Sequence, residues 1–167
     1  MITINSLTYR YSGIRKNVFD QLNLTIEEGG IYGLLGKNGV GKTTLLYLMC
    51  NLLKPKNGYI MVDGIDIQKK CAAIFENLFL VPEEFELPDC SLKQYINIMK
   101  PFYPKFSQEC LKKYLKGFEL PDNLHLGRIS MGQKKKVYIC FALATQCKYI
   151  IMDEPTNGLD IPSKKLF

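Results

Sequence analysis

Four residues, Gly36, Gly41, Lys42 and Thr43, have the types and spacing of a phosphate-binding loop: Gly, four residues, then Gly-Lys-Thr. An apolar segment at 31–35, short enough for a buried strand, precedes the loop, and leucines at helical spacing follow it. Strand, glycine-rich loop and helix form the context in which this pattern binds phosphate. Glycines leave backbone N–H groups free to surround an anion, and the helix N-terminus adds partial positive charge. We therefore predict phosphate binding here; the alternative is a connecting loop with the same letters.

The predicted roles differ from residue to residue within this stretch. Lys42 is expected to reach the β- and γ-phosphates of a nucleotide, and Thr43 to hold Mg²⁺ through its hydroxyl. The rest of the predicted nucleotide-binding set here comprises Gly36, Asn38, Gly39, Gly41 and Thr44.

A second group of chemically capable residues follows the apolar segment at 149–152, which predicts a strand ending in Asp153-Glu154-Pro155. In a parallel sheet, the carboxyl end of such a strand lies beside the phosphate loop. We predict that Asp153 organises Mg²⁺ through water and that Glu154 polarises the attacking water as a general base. The alternative is a simple turn after a buried strand, which would be the better interpretation if the loop at 36–43 were absent.

Ser130 and Gln133 have the spacing of a capping box, which predicts the start of a helix. The lysines at 134–136 follow in its first turns, where positive charge opposes the helix dipole. An anion bound at this helix end would offset that cost. A lysine run exposed to solvent explains the same three residues equally well.

The bulk composition is that of an ordinary globular protein: 167 residues, 47% hydrophobic and 23% charged, with a net charge of +6. No apolar run approaches the roughly 18 residues of a membrane span, so we expect a soluble chain whose membrane role would come through a partner. The six cysteines include no Cys-x-x-Cys pair, and there is one histidine, His125. This usage gives little support to a zinc site and fits a reducing cytoplasm.

The remaining pattern predicts strands first and helices later. Strands are expected at 2–9, 18–26, 59–62 (an edge strand ending in a hairpin turn at Asp63-Gly64) and 78–82. Helices are expected between 91 and 118, with a break at 101–104, and again from Ser130.

The three motifs at 36–43, 130–133 and 149–160, in this order and spacing, resemble the ATP-binding cassette (ABC) ATPase domain. The resemblance implies one α/β domain over 1–167. This domain would have a P-loop NTPase core with a mostly parallel sheet, an N-terminal antiparallel β subdomain and a helical subdomain at about 88–130. It also implies that two such domains clamp two ATP molecules head to tail.

The resemblance assigns further residues to the nucleotide. Ser130, Gly132 and Gln133 would approach the γ-phosphate bound at Lys42 of the other subunit, and the segment at 157–160 would cross to the partner's site. Tyr11 matches the aromatic residue that stacks on adenine, although a tyrosine at a strand end often only packs.

Two features depart from the family pattern. Glu83 occupies a position where the family usually has Gln, as bacterial drug- or peptide-exporter ATPases often do. Its carboxylate could face Mg²⁺ or the water, which makes it a candidate catalytic and metal residue, but it adds negative charge near a phosphate. The chain also stops seven residues after Asp160, whereas the family continues through a further strand and a histidine that contacts the γ-phosphate. We therefore expect a C-terminally truncated domain that hydrolyses ATP poorly or not at all.

The sequence as a whole predicts the ATPase subunit of a bacterial ABC exporter, using ATP and Mg²⁺. We expect it to form a homodimer or heterodimer of ATPase domains and to act at the cytoplasmic face of the cell membrane through a separate permease. No nucleic-acid partner is expected. Two alternatives stay open: a soluble ABC ATPase acting on nucleic acid or ribosomes, and a nucleotide-binding regulatory fragment without turnover.

Overall fold

The chain, described at residues 1–69 and 71–165 by a computed structural model, divides into two units. The first unit is Met1–Ile74, and the second begins at Phe75. Each unit contains its own sheet, antiparallel in the first and parallel in the second. The predicted α/β class is therefore confirmed.

Alternating apolar residues build the sheet of the first unit, because Ile2, Ile4 and Leu7 all point into its core. Its order is β2-β1-β3-β4, and every neighbouring pair is antiparallel. The strands are β1 (Ile2–Tyr9), β2 (Phe19–Ile26), β3 (Asn57–Val62) and β4 (Ile65–Asp66). The predicted strand at 59–62 and its hairpin turn at Asp63-Gly64 are confirmed. Its predicted edge position is wrong, because the turn folds β4 back onto the free side of β3.

The helix α1 (Lys42–Met49) follows the predicted phosphate loop and buries Leu45, Leu48 and Met49. The predicted strand at 31–35 is wrong: these residues form no ladder and are all exposed. Ile31 and Leu35 are 105% and 93% exposed. A strand exists only through hydrogen bonds to a neighbouring strand, and an apolar run cannot supply that neighbour by itself.

The second unit combines a two-stranded parallel sheet with helices. Its strands β5 (Leu78–Val81) and β6 (Tyr149–Met152) pair in register from Leu78↔Tyr149 to Val81↔Met152. A short helix, α2 (Ala72–Phe75), leads into it, and the helices that follow are α3 (Leu92–Met99), α4 (Gln108–Gly117), α5 (Met131–Ala144) and α6 (Ile161–Lys164). Short 3-10 turns lie at Ile67–Lys69, Lys100–Phe102 and Leu126–Arg128.

Phe141, on α5, is fully buried at the centre of an aromatic cluster in the second unit. The ring centroids of Tyr95, Phe106 and Phe79 lie 5.1, 5.2 and 6.0 Å from that of Phe141. Distances of this size are typical of attractive aromatic pairs. The cluster joins α5 to β5 and to α3, so it fixes the position of the helix that begins at Ser130. No helix within the described residues has the length and apolar content that crossing a membrane requires.

Candidate nucleotide site

The loop at 36–41 leads directly into α1, and its geometry depends on Gly41. This residue has φ 108°, in the left-handed region that glycine tolerates best. A Cβ at Gly41 would lie 2.6 Å from Val18 Cγ1 and 3.0 Å from Phe19 Cζ, which no ordinary packing allows. The position therefore requires glycine for its backbone conformation and for its contact with the start of β2.

Lys42, the first residue of α1, folds back over the loop. Its Nζ donates to the carbonyl oxygen of Gly36 at 2.9 Å and to that of Lys37 at 3.4 Å. Residues 31–40 and Thr43 are exposed, so Asn38, Gly39 and the Thr43 hydroxyl are accessible to a ligand. Phosphate oxygens could replace the two carbonyls as partners of this ammonium group.

Tyr11 and Thr44 contact each other within the first unit. The Tyr11 hydroxyl and Thr44 Oγ1 lie 2.8 Å apart, and Thr44 is 5% exposed. The Tyr11 ring meets the Tyr9 ring edge-on, with the centroids 5.1 Å apart, and stays 40% exposed. The structure thus gives Tyr11 packing contacts and leaves part of its ring open to a flat ligand.

Asp153 begins the turn after β6 in the second unit and is 3% exposed. Its N–H donates to the Val81 carbonyl at 2.8 Å, which extends the strand pairing by one residue. Its Oδ2 atom is buried and has no hydrogen-bond partner among the described residues. A buried carboxylate oxygen without a partner is costly, and a cation would relieve that cost.

The carboxylates near Asp153 fit a magnesium ion that takes most of its ligands from the phosphates of a bound nucleotide and from water. Within the described residues, no three His, Cys, Asp or Glu side chains gather closely enough to bind a metal on their own. Mg²⁺ in nucleotide sites commonly uses one or two carboxylates together with phosphate oxygens and water. Asp153, with its orphaned oxygen, has the character of such a carboxylate.

Glu154 has a strained backbone, since its φ of 44° lies in the left-handed region. This conformation costs a non-glycine residue roughly 1–2 kcal/mol. Its carbonyl oxygen accepts two hydrogen bonds, from Lys135 Nζ at 2.8 Å and from the Asn157 N–H at 3.1 Å. Strain that is held by several contacts is common at functional sites.

Lys135 lies on α5 and is 5% exposed. Besides the Glu154 carbonyl, its Nζ contacts the Glu83 carbonyl at 3.4 Å. Burial lowers the pKa of the Lys135 ammonium group, while the neighbouring carboxylates of Glu83, Asp153 and Glu154 act in the opposite direction. The group therefore balances desolvation against three nearby acidic side chains.

The Glu83 carboxylate is exposed and accepts a hydrogen bond from Asn157 Nδ2 at 2.9 Å. Asn157 thus contacts two of the three acidic residues of this region, Glu83 through its side chain and Glu154 through its backbone. The structure joins the ends of β5 and β6 through this amide.

Ser130 and Gln133 form the predicted capping box at the start of α5, which is confirmed. The Gln133 N–H donates to Ser130 Oγ at 3.3 Å, and the Ser130 N–H donates to Gln133 Oε1 at 3.1 Å. Gly132 lies close to the 153–160 segment: a Cβ there would come within 3.0 Å of the Gly158 carbonyl oxygen. This close approach explains a glycine at the second helical position, where its backbone freedom is not required.

Two of the three lysines at 134–136 have specific partners, so a purely solvated run is the wrong description. Lys136 Nζ pairs with Asp160 Oδ2 at 2.8 Å, and this hydrogen bond lowers the pKa of the Asp160 carboxyl below its usual range. Asp160 also caps α6 by accepting from the Ser163 N–H at 2.8 Å.

The predicted site residues thus form two groups, each within one unit. Tyr11 and the residues from Gly36 to Thr44 belong to the first unit; Glu83, Ser130, Gly132, Gln133, Asp153 and Glu154 belong to the second. Sequence reasoning missed Lys135. Its helical spacing with the buried Ile139 and Ala142, four and seven residues later, was the signal that could have found it.

Residues 19–157 match the model of the protein family described as "ABC transporter". That range includes the loop at 36–43, the capping box and the turn after β6. It covers most of the chain.

The chain is also similar to individual proteins that are named as ATP-binding proteins of transporters. The chain is 34% identical to the ABC transporter ATP-binding protein YtrB of Bacillus subtilis, over 96% of the chain and 54% of that protein. It is 35% identical to the SkfA peptide export ATP-binding protein SkfE of the same species, over 87% of the chain and 63% of that protein. It is 32% identical to the methionine import ATP-binding protein MetN of Carboxydothermus hydrogenoformans, over 96% of the chain and 51% of that protein.

A solved structure of an ABC transporter ATP-binding protein from Pyrococcus furiosus superimposes with a TM-score of 0.82 at 29% identity. The match covers 98% of the chain and 80% of that structure. The chain spans between about half and two thirds of the length of the curated relatives named above.

Proposed function

The chain belongs to the ABC transporter family, and from this premise we propose that it is the ATP-binding subunit of a transporter, hydrolysing ATP to drive a separate membrane permease. The observation that carries the proposal is the loop at 36–43, where Lys42 lies over the loop carbonyls at the start of α1. A cation, exposed glycines and a helix N-terminus in one short segment suit the phosphate tail of ATP.

The proposed roles follow the chemistry of each group. Lys42 and the loop amides bind the β- and γ-phosphates, and Thr43 offers its hydroxyl to Mg²⁺. Asp153 holds the metal or its water with the orphaned Oδ2 atom. Mg²⁺, when bound, offsets the negative charge of the phosphates.

Glu154 is the proposed general base that accepts a proton from the attacking water. Glu83, already fixed by Asn157, is proposed to orient that water or to contact the metal. Tyr11 is proposed to stack on the adenine ring through the exposed part of its own ring.

We place Ser130, Gly132 and Gln133 against the γ-phosphate held by a second ATPase subunit. The Ser130 side chain accepts the capping hydrogen bond, so its hydroxyl hydrogen stays available for an anion. A dimer formed around nucleotide follows from this assignment, and the permease would hold that dimer at the cytoplasmic face of the membrane.

Nucleotide binding tests the central assignment. Lys42→Ala should weaken binding of a fluorescent ATP analogue with Mg²⁺ at least tenfold, because the ammonium that pairs with phosphate is removed. Lys37→Ala, from the same exposed loop, is the matched control and should stay within threefold of the parent. Equal affinity of Lys42→Ala and the parent would refute the phosphate role.

A second experiment separates binding from hydrolysis. Glu154→Gln should bind Mg-ATP and lose at least a hundredfold in turnover, because the amide cannot accept the proton from water. In the presence of Mg-ATP this variant should sediment as a dimer, since nucleotide is held without being cleaved. A monomer at saturating nucleotide would count against the dimer.

We further propose that transport runs outward. The similarity to a peptide export protein and the glutamate at position 83 support this direction, whereas the similarity to an import protein supports the reverse. Inside-out vesicles containing the subunit with its permease decide the matter: ATP-driven accumulation of a labelled peptide indicates export, and ATP-driven release indicates import.

A further inference from the structure

The buried ammonium group of Lys135 has no part in the roles assigned above. We propose that Lys135 is a positioning residue that holds the backbone of Glu154 in the conformation required for catalysis. This inference rests on the proposed function, since it assigns Lys135 a task in ATP hydrolysis through the residue that activates water.

The contacts place Lys135 between the ends of two paired strands. Its Nζ lies 2.8 Å from the Glu154 carbonyl oxygen and 3.4 Å from the Glu83 carbonyl oxygen. These residues each follow a strand of the parallel pair, in which Val81 and Met152 are in register. One side chain from α5 therefore ties together the two turns that present Glu83 and Glu154.

The hydrogen bond from Lys135 stabilises a strained backbone conformation at Glu154. Its φ of 44° is disfavoured for a residue with a side chain. The carbonyl accepts from Lys135 and from the Asn157 N–H, and Asn157 also donates to Glu83 Oε1 at 2.9 Å. Without the ammonium, one of the two bonds on that carbonyl is lost and the strained conformation has less to hold it.

A purely structural role would be filled more simply by an apolar side chain. Burying an ammonium group costs free energy unless polar partners compensate it. Here the partners are two carbonyls beside the carboxylates of Glu83, Asp153 and Glu154. The positive charge also reduces the repulsion among these acidic groups, which an apolar residue could not do.

The experiment compares Lys135→Met, Lys135→Gln and Lys113→Met. The methionine keeps the length and apolar stem of Lys135 without its donors, and the glutamine restores donors without charge. Lys113 is an exposed lysine on α4 and serves as the control. Steady-state ATP hydrolysis and amide hydrogen exchange are measured on all three variants and the parent.

We expect Lys135→Met to lower kcat at least tenfold with KM for Mg-ATP within threefold, because binding residues in the loop are untouched. The Asn157 amide, which donates to the Glu154 carbonyl, should exchange at least tenfold faster, while the Phe141 amide in the core keeps its protection. Lys135→Gln should recover at least a third of the parental kcat, and Lys113→Met should match the parent.

The failures are distinguishable. A parent that does not bind Mg-ATP overturns the proposed function. A parent that binds Mg-ATP without turnover is judged by amide exchange, and equal exchange of the Asn157 amide in Lys135→Met and the parent overturns the inference. An active parent with an equally active Lys135→Met overturns the inference alone, as does a loss that appears only in KM. Should Lys135→Met fail to fold, Lys135→Gln carries the test. The inference expects at least a third of the parental kcat in this variant, and a kcat reduced more than tenfold contradicts the role of the donors.

Discussion

The loop at 36–43 and the turn at 153–160 are held in opposite ways. Residues 31–40 are exposed, and Lys42 donates its hydrogen bonds to the loop's own carbonyls. The turn contains the buried Asp153 and is tied to α5 by Lys135 and Lys136. Phosphate binding needs accessible amides, whereas a metal carboxylate and a general base need a dry, fixed surrounding. Substitutions should therefore separate function from stability in the first region and combine them in the second.

The largest loss of stability is expected from a substitution in the aromatic cluster around Phe141, in the same unit as the turn. Phe141→Ala should lower the free energy of unfolding by about 3–5 kcal/mol, because it leaves a cavity among several aromatic rings. Phe102→Ala, at a residue that is 63% exposed, should stay within about 0.5 kcal/mol of the parent. Urea titration measures both. Similar midpoints for the two variants would show that the second unit is not packed as described.

Alkaline pH should destabilise both units, because each contains a buried thiol. Burial raises the pKa of Cys50 and that of Cys140 from 9.0 to about 12. Between these values the unfolded thiol ionises while the folded thiol keeps its proton, so stability falls as pH rises. The slope is about 1.4 kcal/mol per pH unit for each thiol.

Urea titrations at pH 8, 9 and 10 measure this dependence. Cys140→Ala should be less stable than the parent at pH 8, and its loss of stability between pH 9 and 10 should be smaller than that of the parent by about 1 kcal/mol, the contribution of this one thiol. A slope that is unaffected by this substitution would mean that Cys140 ionises as freely in the folded chain as in the unfolded one.

The two capping boxes offer a smaller, matched test. Ser130→Ala and Ser91→Ala each remove a side-chain acceptor at a helix start, and each should cost about 1 kcal/mol of stability. Only Ser130→Ala should also weaken dimer formation with Mg-ATP in the Glu154→Gln background. If Ser91→Ala weakens it equally, the effect belongs to helix stability and the proposed phosphate contact of Ser130 is wrong.

The smallest effect is expected in the exposed segment before the loop. Leu35→Ser should change the free energy of unfolding by less than about 0.5 kcal/mol, because Leu35 is 93% exposed. Leu48→Ser, at a fully buried position of α1, is the contrasting variant and should cost several times more. A loss above about 2 kcal/mol in Leu35→Ser would restore the buried strand that the sequence predicts.

Local patterns predicted most of the elements. The capping box at Ser130 depends on two side chains three residues apart, and the structure reproduces both of its hydrogen bonds. The strand at Ile2–Tyr9 follows from period-2 alternation, and the helices at Leu92–Met99 and Gln108–Gly117 follow from apolar spacing. These features depend on neighbours along the chain, which the sequence displays directly.

The candidate site was less predictable where it depends on distant neighbours. The family pattern selected Lys42, Asp153 and Glu154 from the sequence, but it did not indicate the orphaned Oδ2 atom of Asp153. The sequence did not distinguish Lys135 from the other two lysines at 134–136, because its carbonyl partners lie 19 and 52 residues away in the chain.

By itself, the sequence determined the glycine-rich loop, the helix start at Ser130 and the acidic pair after the strand at 149–152. The tertiary structure alone decided that the apolar residues at 31–35 are exposed and that an ammonium group is buried beneath Glu154. The physical reason is that a residue's chemical type is a property of the chain, whereas its burial and its hydrogen-bond partners are supplied by segments far away in sequence.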